Sequence, residues 1–271
     1  MESYALTEQH ILDVLVPVFA GLLGLNIGSF LNVVVHRVPA GESIVHPPSA
    51  CPKCGHAIRN RHNVPVLGWL VLRGKCFDCG EPISARYPLV EAGTGVAFAL
   101  VALRFGADED GLRLLPAYLA FAGIGIALAL IDLDVKRLPD VIVLPSYPVL
   151  AALLLVDGDG EALVRAAIGG AILFAFFFIV WFAAPGGMGF GDVKLAGIVG
   201  AMTAYLTWGT LLVGAFMGFL LGAVAGVMLM VSGKAGRKTA VPFGPFMILG
   251  AWAAILGAAG LGDYYLDLIG Y

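Results

Sequence analysis

Eight apolar runs, separated by short polar connections, place the strongest constraint on how this chain folds. They lie at about 14–35, 88–105, 112–131, 141–156, 163–184, 193–207, 209–231 and 242–260. A helix that crosses a bilayer needs roughly 20 mostly apolar residues. Only 13% of the residues are charged, which is about half the proportion found in soluble domains. We therefore predict an all-α polytopic membrane protein with about eight transmembrane helices, the fourth and sixth of which have soft limits because their runs are short.

Basic residues predict which side of the membrane each connection faces. With the N-terminus outside, four segments are cytoplasmic: 36–87, 132–140, 185–194 and 232–241. Together these segments contain every Lys and Arg except Arg104, Arg113 and Arg165. The connections on the opposite side are acidic instead. Because Lys and Arg concentrate in cytoplasmic loops, we expect both termini to lie outside.

The longest polar segment, 36–87, divides the chain into three parts. Residues 1–35 are expected to form the first transmembrane helix. A cleaved signal peptide has basic residues before its apolar stretch, and here no Lys or Arg precedes the first run. Segment 36–87 is expected to form a small cytoplasmic domain, of a size that often needs a metal or a disulfide for stability. Residues 88–271 form the remaining membrane domain. The small net charge of −3 gives no sign of nucleic-acid binding, so the lipid bilayer is the expected partner.

All four cysteines lie in segment 36–87, as two C-x-x-C pairs. The first pair is Cys51 and Cys54, and the second is Cys76 and Cys79. This spacing is typical of a zinc ribbon, in which two turns each present two thiolates to one tetrahedral ion. Disulfide pairing is the alternative, and the expected cytoplasmic location disfavours it because the cytosol keeps thiols reduced. The sequence therefore predicts a structural zinc ion in a zinc-ribbon-like insertion.

Two Asp residues at the ends of apolar runs are the candidate catalytic groups. Asp132 ends the third run, and Asp192 opens the sixth after a glycine-rich approach that includes Gly189 and Gly191. The orientation, which rests on Lys and Arg alone, puts both carboxylates at the same membrane face. In such a pair, an ionised carboxylate takes a proton from water while its protonated partner donates to the peptide carbonyl oxygen. Glycines at 189 and 191 are expected to let an extended substrate backbone approach Asp192.

These carboxylates also have interpretations that involve no catalysis of peptide cleavage. A lone Asp at the end of a membrane helix is by default an interfacial cap. We accordingly place Asp134 at the interface, paired with Lys136 or Arg137, and expect Asp140 to cap the fourth span. A membrane carrier that uses intramembrane carboxylates stays open as an alternative, although carriers place such groups near the midplane and often show internal repeats. A zinc-ribbon assembly protein without catalysis is a third possibility.

Several motifs together resemble one family. They are Gly28-Ser29-Phe30-Leu31-Asn32-Val33, the two C-x-x-C pairs, Arg86-Tyr87-Pro88-Leu89-Val90-Glu91, Ile131-Asp132 followed by Leu138-Pro139-Asp140, and Gly189-Phe190-Gly191-Asp192-Val193-Lys194. In these residues, and over nearly its whole length, the chain resembles the bacterial type IV prepilin peptidases. These are bifunctional leader peptidase/N-methyltransferases of the GxGD aspartic protease group.

The resemblance implies a more specific function than the spacing of the residues does. It implies that Asp132 and Asp192 cleave the leader of a type IV prepilin or pseudopilin after a Gly, at the cytoplasmic face of the bacterial inner membrane. It also implies methylation of the new N-terminal residue with S-adenosylmethionine, an activity that the family associates with segment 36–87. A peptidase without methylation is the closest alternative.

Overall fold

The computed structural model describes residues 2–106, 109–183, 188–233 and 242–258, and these residues are mainly α-helical, apart from the largely irregular stretch 41–85. Residues 184–187 and 234–241, which belong to predicted cytoplasmic connections, lie outside the described residues. The helices in the described ranges are α1 (Glu2–Ala40), α2 (Leu67–Val71), α3 (Arg86–Phe105), α4 (Glu109–Val135), α5 (Asp140–Leu154), α6 (Gly160–Ala183), α7 (Phe190–Leu206), α8 (Trp208–Val231) and α9 (Gly244–Ala253). The last is continued by a π-helical turn at Ala254–Ala258.

The structure confirms the prediction of a helical protein with several membrane-spanning helices. Within the described ranges, five helices are long and apolar enough to cross a membrane, namely α1, α3, α4, α6 and α8. Helices α5, α7 and α9 also coincide with predicted runs but contain only 15, 17 and 10 residues. The short fourth and sixth runs in the sequence thus correspond to the short helices α5 and α7.

Two predicted boundaries differ from the observed helix ends. Helix α1 ends at Ala40, five residues beyond the expected end of the first span at 35. Helix α3 begins at Arg86, two residues before the expected start of the membrane domain at 88. Polar and charged residues continue both helices past their apolar runs, because helix propensity does not end where hydropathy does.

The chain divides into two compact units, Met1–Ala127 and Leu128–Tyr271. In the first unit, α1 packs along α3 through glycines spaced four residues apart on α1. A Cβ added to Gly24 would lie 2.7 Å from the Thr94 carbonyl oxygen, and one added to Gly28 would lie 2.7 Å from the Glu91 Cα. These contacts confirm that the small residues allow the close approach that stabilises helix pairs in lipid.

Helix α7 is the central element of the second unit. Helices α5, α6, α8 and α9 all pack against it, and most of its residues are buried. Close contact with α6 depends on glycine, because a Cβ on Gly200 would lie 2.5 Å from the Gly169 carbonyl oxygen. On α8, Gly218 faces the Met247 backbone, whereas a Cβ on Gly226 would meet no atom within 4 Å. Gly218 therefore takes part in close helix packing, and Gly226 does not.

Candidate functional site

Asp132 occupies the last turn of α4, which belongs to the second unit. Only 5% of the residue is exposed. The backbone N–H of Gly244, the first residue of α9, donates to Asp132 Oδ2 at 3.1 Å. A buried carboxylate needs such donors because burial removes its hydration. The position of Asp132 therefore depends on a residue that lies more than a hundred positions later in the chain.

Asp192 occupies the first turn of α7. The residue is 8% exposed, and its Oδ2 accepts from the N–H of Gly189, which precedes the helix, at 3.2 Å. The N-terminus of a helix carries partial positive charge, so it interacts favourably with an acidic side chain at this position. Asp192 Oδ1 is buried and has no hydrogen-bond partner among the described residues. A buried oxygen without a partner costs about 1–3 kcal/mol, so Oδ1 is the atom best placed to accept a proton or a water.

The two carboxylates belong to one site. Asp192 is close enough to Asp132 for their charges to interact, and both carboxylates interact with the Gly244 N–H. Among the described residues with assigned burial, Asp132 and Asp192 are the only acidic or basic side chains that are buried. Two carboxylates at close range cannot easily both ionise, so one of them holds a proton. The structure thus brings the two predicted residues together at the ends of α4 and α7.

Three contacts hold the connection after α4 and the first half of α5 against the start of α7. Lys194 Nζ forms an ion pair with Asp140, and the Tyr147 hydroxyl donates to the Lys194 carbonyl oxygen at 2.6 Å. Leu138 fills the space beside Gly191, where an added Cβ would lie 2.9 Å from the Leu138 Cβ. The expectation that Asp140 caps a helix is wrong, because Asp140 is the first residue of α5 and its side chain contacts Lys194 instead.

The two glycines expected beside the substrate have different local roles. Gly189 supplies the N–H that binds Asp192, and a Cβ there would lie 3.5 Å from Asp192 Oδ2. Gly191 makes room for Leu138, as described above. The structure therefore gives each glycine a role in shaping the site, and their role in substrate approach stays a prediction.

The four cysteines form a second site, in the first unit. Their Sγ atoms all lie within 4.8 Å of one another, and none of these four residues is in a disulfide. Thiolates bound at about 2.3 Å to one tetrahedral ion lie about 3.8 Å apart, and Cys51 Sγ and Cys79 Sγ are separated by 3.8 Å. The arrangement therefore fits a metal ion of the size and geometry of zinc.

Each C-x-x-C pair lies in the same kind of turn. In the first, the Gly55 N–H donates to the Cys51 carbonyl oxygen at 2.9 Å. In the second, the Gly80 N–H donates to the Cys76 carbonyl oxygen at 3.0 Å. Both glycines have positive φ, at 72° and 74°, a conformation that glycine adopts without strain. The repeated turn presents both sulfurs of each pair toward the other pair.

Backbone groups favour a thiolate in the first turn. The N–H groups of Cys54 and Lys53 point at Cys51 and lower the pKa of that thiol to about 7. Because metal ligands must be deprotonated, this backbone arrangement favours Cys51 as a ligand. The pattern of hydrogen bonds and the sulfur geometry support the same interpretation.

Gly244 is the residue of the carboxylate site that sequence reasoning missed. It lies at the start of the last apolar run, in Pro242-Phe243-Gly244-Pro245, and it contributes only a backbone N–H. The one available signal was the Gly-Pro step, because proline favours the first turn of a helix and so marked where α9 begins. Nothing in that signal indicated a contact with Asp132.

A cavity of about 650 Å³ lies elsewhere in the same unit, between α5, α6 and α7. Lys194, Gly197 and Ala201 line it from α7. Lys194 follows Asp192 by two residues, which corresponds to about 200° around a helix. The cavity therefore opens on the face of α7 opposite to Asp192.

The chain matches two models of protein families. Residues 22–105 match the bacterial peptidase A24 N-terminal domain, and residues 119–231 match the type IV leader peptidase family. The first matched region contains the cysteine site, and the second contains Asp132 and Asp192. No solved structure matches the chain.

Curated relatives cover most of the chain. A prepilin leader peptidase/N-methyltransferase of Pseudomonas putida is 36% identical, over 93% of this chain and 94% of its own length. The protein of the same name from Pseudomonas aeruginosa is 36% identical, over 92% of this chain and 93% of its own. One from Myxococcus xanthus is 41% identical, over 83% of this chain and 67% of its own. With this identity over nearly complete chains, the protein belongs to the type IV leader peptidase family.

Proposed function

We propose that this protein is a membrane aspartic endopeptidase that removes the leader from type IV prepilins or pseudopilins, with Asp132 and Asp192 as its catalytic pair. The observation that carries the proposal is the meeting of these two carboxylates at the Gly244 N–H. They are the only buried acidic or basic side chains among the residues whose burial the structure describes. Relatives that share more than a third of their residues with the chain are named prepilin leader peptidase/N-methyltransferase.

The geometry supports cleavage by an activated water. An ionised carboxylate takes a proton from the water, and the water oxygen attacks the peptide carbonyl carbon. The protonated partner donates its proton to the carbonyl oxygen. When the tetrahedral intermediate collapses, the C–N bond breaks and the leaving amine takes a proton from the pair. Asp192 Oδ1, which lacks a partner among the described residues, is the oxygen that we assign to the proton shared with Asp132.

The Gly244 and Gly189 N–H groups hold the pair in position. Each donates to one carboxylate oxygen, at 3.1 Å for Asp132 and 3.2 Å for Asp192. Asp192 Oδ1 takes no part in these bonds and is left to accept a proton. A pre-positioned pair saves the entropy of orienting its groups in the transition state.

We assign zinc to the four cysteines as a structural ion. All four positions of a tetrahedral ion would be filled by Cys51, Cys54, Cys76 and Cys79, which leaves no open position for a substrate. The ion would hold the two turns together in a segment that has only short helical elements in its described residues. Leader cleavage therefore does not pass through this site.

N-methylation of the new N-terminus is the second activity, and S-adenosylmethionine is the methyl donor that the family relationship implies. Phe77, next to Cys76, is contacted by Arg59 at 4.3 Å and by His62 at 4.7 Å and is still 54% exposed. These contacts do not define a cofactor site, and we derive no methyl-transfer step from them.

The proposed topology follows the basic residues. Eight helices cross the bacterial inner membrane, the short α5, α7 and α9 among them, with both termini outside. Asp132 and Asp192 then lie at the cytoplasmic face, where the leader of a prepilin is accessible. Both residues lie at helix ends, as a site at a membrane surface requires.

The experiment that tests this function uses the purified full-length protein with a prepilin and S-adenosylmethionine. Intact-mass analysis of the prepilin reports loss of the leader and gain of one methyl group in the same spectrum. Leader loss without the methyl gain would restrict the function to that of a peptidase. An unchanged prepilin mass with correctly inserted protein would contradict the proposal.

A further inference from the structure

The short helix α2 exposes an apolar surface that the fold of its own unit does not cover. Leu67, Leu70 and Val71 are 59%, 55% and 76% exposed. Trp69 points the other way, where its indole N–H donates to the Ile83 carbonyl oxygen at 3.0 Å and its ring packs beside Gly74. The apolar residues on the outer side are thus held outward by a helix that is fixed to the rest of the segment.

Two hydrogen bonds fix α2 beside the start of α3. Trp69 binds Ile83, three residues before α3 begins. Glu91, in the second turn of α3, accepts from the N–H of Val66 at 2.6 Å. Val66 has a φ of 61°, a strained conformation for a β-branched residue, so the carboxylate stabilises a backbone turn that would otherwise be unfavourable. These two bonds therefore fix the position of α2 along the axis of α3.

The positions of Glu91 on α3 and of Gly28 on α1 show how deep this part of α3 lies in the membrane. Glu91 lies five residues after Arg86, about 7.5 Å along the helix axis. A Cβ added to Gly28 on α1 would meet the Glu91 Cα, and Gly28 lies fourteen residues after position 14, where the first apolar run begins. That distance is about 21 Å, which leaves about 9 Å of a hydrocarbon core about 30 Å thick. Both helices therefore place Glu91, and the Val66 turn bound to it, within about 10 Å of the membrane boundary.

Basic residues next to α2 also favour a position at the lipid headgroups. Arg73 and Lys75 follow α2 directly and are exposed. Basic residues next to an apolar face are attracted to anionic lipid headgroups, and the combination is typical of helices that lie in the membrane interface.

We propose that α2 is an interfacial anchor whose Leu67, Leu70 and Val71 side chains insert into the lipid leaflet at the start of α3. The apolar surface of α2 contacts the lipid at the boundary between headgroups and acyl chains, and Arg73 and Lys75 lie at the headgroups. The anchor holds the cysteine site at the membrane surface. This inference depends on α1 and α3 as membrane spans and is independent of the peptidase assignment.

Site-specific photocrosslinking of the full-length protein tests the anchor. The photoreactive residue p-benzoylphenylalanine replaces Val71, and the protein is reconstituted into vesicles of phosphatidylcholine and phosphatidylglycerol. Two matched positions provide the scale: Leu100, which is exposed on the span α3, and Lys53, which is exposed on the first cysteine turn. After irradiation, intact-mass analysis measures the fraction of protein with one added lipid.

We expect a lipid adduct at position 71 comparable to that at position 100, and several-fold less at position 53. An adduct level at 71 as low as that at 53 would overturn the anchor. Crosslinking from position 71 to another part of the chain, or to an added prepilin in preference to lipid, would also overturn it, because the surface would then have a protein partner. The protease assay is not involved, so failure of the anchor is separate from failure of the proposed function.

Discussion

The Gly244 N–H donates to Asp132 Oδ2 at 3.1 Å and so joins two residues that are 112 positions apart in the chain. The bond connects the start of α9 to the end of α4, and the same N–H interacts with Asp192 at the start of α7. Three helix ends therefore meet at one backbone amide. The carboxylate site depends on α9 as well as on the two helices that carry Asp132 and Asp192.

Replacement of Gly244 by Ala is expected to disrupt this meeting point. The new Cβ would lie 2.9 Å from Asp132 Oδ2 and 3.5 Å from the Leu195 side chain, so the carboxylate or α9 must shift. We expect the rate of leader cleavage to fall by about tenfold or more, equivalent to at least about 1.4 kcal/mol of transition-state stabilisation. Single-turnover cleavage of a prepilin measures the effect.

Gly226→Ala is the matched control for that variant, because a Cβ at Gly226 meets no atom within 4 Å. It introduces the same methyl group into a helix of the same unit and should cleave at the wild-type rate. Equal rates for the two variants would show that Gly244 does not position the pair.

Lys194→Met tests the ion pair between the start of α7 and the connection after α4. The Lys194 side chain is 16% exposed and Asp140 is 59% exposed, so solvent weakens the pair and we expect a loss of about 1 kcal/mol, or roughly fivefold in kcat. The exchanged pair, Asp140→Lys with Lys194→Asp, should recover part of the loss. Arg113→Met, which removes an exposed partner of Asp110, should change nothing. No difference between Lys194→Met and Arg113→Met would contradict a positioning role.

Metal analysis of the freshly purified protein tests the cysteine site. We expect one zinc ion per chain, and we expect Cys76→Ser to lose most of it because three ligands hold the ion much less tightly. Lys53→Ala, in the same turn as two of the ligands, should keep its zinc. Since structural zinc binding is coupled to folding, chelation should expose segment 42–85 to limited proteolysis. A protein that lacks zinc and resists proteolysis equally with and without chelator would contradict the assignment.

Arg165 tests the packing of α6 against α7 away from the site. Its guanidinium donates to the carbonyl oxygens of Ala204, Tyr205 and Leu206, at 2.7, 2.5 and 2.9 Å. These carbonyl oxygens lie in the last turn of α7, where no N–H donor of the same helix reaches them. Arg165→Met should destabilise the protein by about 2 kcal/mol and lower the thermal unfolding temperature by several degrees in detergent. Arg113→Met serves as the control here as well, and an equal effect of both would exclude a specific role for Arg165.

The membrane helices were predictable because the length and position of each apolar run can be read directly from the sequence. Asp132 and Asp192 were predictable because an acidic side chain at the end of an apolar run is costly and therefore conspicuous. The turns at Gly55 and Gly80 were predictable because glycine is the residue that adopts positive φ without strain.

The rest of the site was not predictable for a physical reason. The Gly244 contact is made by a backbone N–H, which every residue except proline possesses, so its identity carries no chemical signal. The role of Asp140 depended on Lys194, 54 positions later, and only the packed helices define that pair. The apolar surface of α2 was too short to stand out as a run, and its exposure follows from the direction in which Trp69 packs.

The central claim is that Asp132 and Asp192 act together on one peptide bond. The most direct measurement is single-turnover cleavage of a prepilin by Asp132→Asn and Asp192→Asn, read by intact mass, with insertion of each variant checked by membrane fractionation. The amide retains the shape of the side chain and cannot ionise or exchange a proton in its place. The account predicts that each variant inserts normally and leaves the leader uncleaved. Complete leader removal by either variant would contradict it.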